Sequence, residues 1–165
     1  MAGTISPEDS IVALQSVISS GLAAQISALD TRYGDFALPT TMVYHLAPVL
    51  QHAKTPALVL APSRTAKRHT DTSEDIYHHT ISGELVYRAN VKSGSDTVRE
   101  RVTKVLMRLA EGIEQIVIDD QWLTVSGVRK VDMCLLEEVA YSEHFAGDNV
   151  LEQRAEMTFH VAVST

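Results

Sequence analysis

The chain has one cysteine, Cys134, in 165 residues. A lone thiol cannot form an intrachain disulfide, and it excludes a zinc site built on cysteines. No run approaches the roughly 20 apolar residues expected of a membrane-crossing helix. The opening MAGTISPEDS lacks the basic and apolar regions of a signal peptide. Excess positive charge is missing as well. The formal net charge is −7, whereas a nucleic-acid binder normally shows a basic face. These absences predict a protein made in a reducing cytoplasm, with no membrane partner and no nucleic acid as its main ligand.

Signatures of chemistry are equally scarce. There are seven histidines but no H-E-x-x-H. His45, His52 and His69 fall in expected loops without ligand spacing. His78 and His79 are neighbours in an expected strand, so they point to opposite faces. No G-x-S-x-G occurs, and Cys134 falls in a strand on the row opposite the expected core. Residues 92–96, KSGSD, resemble a phosphate-binding turn only faintly, and helix capping accounts for them. The acid pairs Asp119-Asp120 and Glu137-Glu138 do not converge as acid–base catalysis requires. The sequence therefore predicts no catalytic residue, no metal site and no cofactor.

What is present is patterning, with 45% apolar and 21% charged residues, as in an ordinary globular domain. Ser6-Pro7-Glu8-Asp9 reads as a helix start, followed by Ile11, Leu14, Ile18, Leu22, Ile26 and Leu29 at helical spacing. This helix should end between Asp30 and Tyr33. Residues 35–56, with three prolines, read as irregular, with a helical turn over Val43 to Gln51. PALVLAP predicts a short buried strand over Ala57 to Ala61. Residues 62–75, PSRTAKRHTDTSED, are basic first and acidic later, and predict a mobile polar loop whose removal leaves the fold intact.

A second strand is expected over Ile76 to Val91, with Tyr77, His79, Ile81, Leu85 and Tyr87 on one side. A second helix follows, with Val98, Val102, Val105, Leu109, Ile113 and Ile116 on one stripe and Arg99, Arg101, Lys104, Arg108 and Glu111 mostly away from it. The tail, 131–163, predicts a hairpin turning at 145–149. Pairing His144 with Val150 sets Tyr141 across from Gln153, Val139 across from Ala155 and Leu135 across from Phe159. Glu137 then breaks the apolar row. The expected fold is a single two-layer α+β domain of order helix-strand-strand-helix-strand-strand. Its sheet is four-stranded and mainly antiparallel, with both helices on one face. The other face, carrying Glu84, Arg88, Glu152, Arg154 and Glu156, suits water or a polar partner. The final strand is a candidate free edge, open to pairing by another chain.

Taken over residues 7 to 163, this order resembles the tail-terminator (tail-completion) proteins of long-tailed bacteriophages. The resemblance rests on the first helix, PALVLAP, the long polar segment, DTVRERVTKVLMRLAEGIEQI and the closing LEQRAEMTFHVAV; residues 35–56 depart from it. It implies a virion protein of the tail or neck, assembled in the host cytoplasm. The protein would form a hexameric ring that caps the tail tube, stops its polymerisation and offers a surface to head-completion proteins. DNA would pass through the ring without sequence-specific binding. The tube protein, the neck proteins and further copies of the chain are the implied partners. The candidate subunit or tube interface comprises Arg64, Lys67, Arg68, Asp71, Glu74 and Asp75 of the polar segment. To these it adds Arg99, Arg101 and Arg108 of the second helix and Glu152, Arg154 and Glu156 of the last strand. Other neck proteins, stoppers or connectors, share the order. From another class, ferredoxin-like or dimeric α+β-barrel enzymes and ligand binders do too, and would need a pocket near Tyr77, His79 and Tyr87. A small dimeric regulatory domain is a third possibility.

Overall fold

A computed structural model describes residues 6–47, 54–69, 74–90, 96–145 and 149–164. The first helix, α1 (Pro7–Tyr33), begins as its sequence predicts. The Ser6 hydroxyl accepts from the Asp9 amide at 3.2 Å, and the Asp9 carboxylate accepts from the Ser6 amide at 3.2 Å. This reciprocal box satisfies two amides that have no partner within the helix. Gly34 ends it at φ 65°, a conformation glycine adopts without strain. By length and composition α1 could cross a membrane, contrary to the sequence reading. In the fold its Leu14, Ile18, Leu22, Ile26 and Leu29 are buried in the core.

The remaining elements are β1 (Val43–His45), β2 (Ala57–His69), β3 (Asp75–Asn90), α2 (Asp96–Asp119), β4 (Thr124–Val125), β5 (Val128–Arg129), β6 (Met133–Phe145) and β7 (Val150–Ser164). Among the described residues the main sheet has five strands in the order β1-β2-β3-β7-β6. The β1–β2 pairing is parallel and the others are antiparallel. Both helices pack on one face, so the fold is α+β with two layers. Leu58, Leu60, Ile81, Leu85, Met157, Phe159 and Val161 rise from the sheet to meet Leu106, Leu109, Ile113 and Ile116 of α2. The two helices approach closely at glycines. A Cβ on Gly21 would lie 3.0 Å from Ile116, and one on Gly112 would lie 3.3 Å from Leu29.

Several expectations are corrected. Val43–His45 is a strand, not a helical turn, and residues 48–51 of that turn lie outside the described residues. The segment 62–75 is not a loop throughout. Pro62 to His69 continue β2 and pair with β3 as far as His69 opposite Asp75, while residues 70–73 lie outside the described residues. Backbone pairing needs no apolar side chains, so a polar strand escapes a reading of hydrophobic alternation. Deleting 63–75 would therefore remove half a strand. β7 is central rather than an edge.

The hairpin register also differs. Tyr141 faces Ala155, Val139 faces Met157 and Leu136 faces Phe159, with a bulge between Leu136 and Glu138. The extra residue is Glu137, and it reverses which face successive side chains take. Cys134 and Leu136 before it, and Val139 after it, therefore all meet the core, while Leu135 turns outward at 41% exposure. The same phase change buries Cys134, which a uniform alternation places on the other face.

Candidate assembly surface

β1 covers β2 only over Ala57 to Val59, so among the described residues the rest of β2 is a free edge. β6 is the edge at the opposite end of the sheet, and among the described residues no strand pairs with its outer side, although its Cys134 N–H donates to the Gln121 carbonyl at 2.6 Å. A free edge presents unpaired N–H and C=O groups to any strand that can reach them. The two edges differ in charge. Pro62 to His69 carries Arg64, Lys67 and Arg68 and no acid. β6 carries Glu137, Glu138 and Glu143 and no lysine or arginine.

Some of these charges are engaged locally. Lys67 pairs with Asp75 and lies 5.4 Å over the Tyr77 ring, and the Asp75 hydrogen bond raises its pKa. Glu143 is bridged by Arg99 and accepts from Gln153 at 3.2 Å. The Arg99 hydrogen bond holds its pKa below the usual carboxylate range. Arg64 and Arg68 have no acidic partner among the described residues, and Glu138 is exposed. The chain thus presents available positive charge at one end of the sheet and available negative charge at the other.

Beside the acidic edge runs a shallow groove of about 350 Å³ between α2 and β6. Its lining includes Met107 and Tyr141, which are 50% and 52% exposed. Large apolar side chains next to a free edge are characteristic of the centre of a protein contact.

The sequence-derived interface residues do not gather in one place. Arg64, Lys67 and Arg68 lie on the β2 edge and Glu74 and Asp75 at the start of β3, while Asp71 lies outside the described residues. Arg99 and Arg101 are exposed on α2, Arg101 standing 5.1 Å over Phe36. Arg108 is not on the outer side of α2. It is 7% exposed, forms two hydrogen bonds to Asp35 at 2.6 and 2.8 Å, and is stacked at 4.0 Å on Tyr33 and 4.5 Å on Phe36. That geometry holds a helix to the segment after α1, and Arg108 also lines the groove between α2 and β6.

Glu152 and Arg154 form a cluster with Arg88 and Glu84 on the sheet face away from the helices. Glu152 is 1% exposed and is gripped by Arg88 and, at 2.6 Å, by Arg154. Arg154 also reaches Glu84 at 3.1 Å. Burial works against the Glu152 carboxylate, yet the two arginine hydrogen bonds hold its pKa below the ordinary value. Glu156, opposite Glu84 on the same face, is exposed.

His79 is buried, with Nδ1 3.0 Å from the Thr65 hydroxyl and its ring 6.4 Å from that of Tyr77. Tyr87 lies farther along β3. No group of three metal-ligating side chains occurs among the described residues. His78 turns to the other face from His79 and meets His160 of β7, with Nδ1 3.0 Å from the partner's Nε2. Cross-strand pairing of the two histidines depends on register, which spacing along the chain does not reveal.

No protein-family model and no curated protein sequence matches the chain. Among solved structures it is similar to a chain described as "Virion of native gene transfer agent (GTA) particle". That chain is 18% identical over 92% of this chain and 94% of the other, with a TM-score of 0.48. A second solved chain is 13% identical over 89% of this one and 94% of its own length, with a TM-score of 0.39.

Proposed function

We propose that the chain is a structural virion protein of a phage-like particle, a tail terminator that closes into a ring on the tail tube. The observation that carries this reading is the pair of oppositely charged free edges at the two ends of one sheet. Contact between unlike surfaces of identical copies is heterologous, and it gives a ring when the rotation between copies closes. Basic β2 of one copy against acidic β6 of the next is such a contact. The resemblance of the element order to tail terminators supplies the ring size, six, and the partners: the tube protein on one side and head-completion proteins on the other. The ring acts by shape and charge and is not an enzyme.

Native mass across a concentration series, with negative-stain imaging, tests this. Six copies of an 18.1 kDa chain should give a ring of about 109 kDa. Arg64→Glu combined with Arg68→Glu should leave a folded monomer. A variant that assembles like the wild type sinks the edge contact. A dimer at every concentration would replace the ring by a two-fold contact.

A further inference from the structure

On the sheet face away from the helices, β2, β3 and β7 enclose a shallow cavity of about 390 Å³ lined by Arg64, Ala66, Arg68, His78, Thr80 and His160. Pairing across the strands explains the convergence. Arg64 faces Thr80, Thr80 faces His160, and Ala66 faces His78. The small Ala66 leaves space between the arginines. We propose that this cavity binds a tetrahedral oxyanion, a phosphate or sulfate group, between the Arg64 and Arg68 guanidinium groups and the His78–His160 pair. Guanidinium forks and a hydroxyl donor match such an anion, and neither arginine has an acidic partner among the described residues.

The histidine pair makes the site responsive to pH. His160 Nε2 meets His78 Nδ1 at 3.0 Å, and His160 Nδ1 lies 3.9 Å from the Glu137 carboxylate. One proton suffices for the bond between the rings. A further proton adds a positive charge beside the two arginines. Burial, then His160 and then Arg68, lower the pKa of His78, so that charge arrives below the ordinary histidine range. Glu137, beside His160, and its neighbour Glu138 on β6 oppose anion entry while the pair is neutral, and Glu84, Glu152 and Glu156 lie farther along the same face. Proton uptake and anion uptake therefore favour each other.

Sulfate is the probe, because its charge does not change over the range used. Titration of the monomeric full chain at about pH 5 and pH 8, followed by the histidine ring resonances, should shift both His78 and His160. Affinity should be about tenfold or more higher at the lower pH, as one added unit charge a few ångströms away requires. Arg64→Ala with Arg68→Ala should abolish binding. His78→Gln combined with His160→Gln should leave weak binding that no longer depends on pH. A short DNA duplex that competes with sulfate at these residues and binds more tightly would assign the phosphate to a nucleic-acid backbone; sulfate binding without DNA competition would assign it to a free anion. Absence of ring shifts at pH 5, or shifts untouched by the arginine substitutions, overturns the site. The measurement needs no ring, so it stands apart from the assembly reading.

Discussion

Arg108 occupies a position on α2 between Leu106 and Leu109, both buried, and a cation there is tolerated because its charge is matched. Asp35 accepts two hydrogen bonds from it, and Tyr33 and Phe36 stack against its planar group. Hydrogen bonding to Arg108 lowers the Asp35 pKa from 3.8 to about 2. The folded state therefore holds this proton less tightly than the unfolded chain. The resulting stability is present above the unfolded value and is lost as pH falls through the folded one. Thermal melts of wild type and Asp35→Asn should differ at pH 5 and converge as pH approaches about 2. A constant gap would mean that the ion pair is not its source. Arg108→Lys keeps the charge but loses the second hydrogen bond and the stacking. It should lower Tm by about 3 °C or more, a loss of order 1 kcal/mol for a chain of this size. Cys134 makes a different residue-scale case. Burial alone pushes its thiol up to about 12, so the nucleophilic thiolate is scarce in the native state. A colorimetric disulfide reagent should leave native Cys134 unmodified at pH 8 and react fully in denaturant. Prompt native reaction would contradict its burial.

At the scale of elements, Gly83 is set by the contact between two strands. It lies opposite Met157, and a Cβ there would stand 2.8 Å from the Phe159 ring and 3.4 Å from Leu60. Gly83→Val should therefore force Phe159 off its packing and cost about 1–3 kcal/mol in denaturant unfolding. An unchanged midpoint would show that Phe159 has room to move. Phe159 is deeply buried, which argues for the cost. The elements differ in how legible they were before folding. α1 announced itself by a capping serine, a proline at its first position and a 3.6-residue stripe, and α2 and β3 by equally regular periods, because one buried face imposes its period on the sequence. The outer half of β2 hid because its strand pairing is made by backbone groups while its side chains are polar. The bulge hid in Met133 to Leu136, where four apolar residues in succession fit either phase. The anomaly of Glu137 was its trace. β4 and β5 were missed although Ser126 and Gly127, at φ 52° and 75°, form the two-residue turn that joins close strands. Arg108 read as exposed because its partner lies 73 residues away. The candidate assembly surface was half legible: the basic segment stood out as charge, but its edge position and the opposing acidic edge depend on strand order.

For the whole molecule, the decisive property is that the two edges are different surfaces on one rigid sheet. Charge reversal on either edge alone should prevent assembly, by setting acid against acid or base against base. The two reversed variants then carry mismatches that cancel between them. Arg64→Glu with Arg68→Glu makes the β2 edge acidic, and Glu137→Lys with Glu138→Lys makes β6 basic. Mixed in equal amounts, two species that are separately monomeric should form rings again, strictly alternating and hence with an even number of copies. Electrostatic steering adds a second signature. Assembly of the wild type should weaken as salt rises towards about 1 M, where screening reduces the range of the edge charges to about 3 Å. If the contact were two-fold, the mixture would stop at a heterodimer, because each copy would have one surface to offer and the pair would exhaust it. Recovery in the mixture of a mass beyond that of a heterodimer therefore tests the head-to-tail geometry itself.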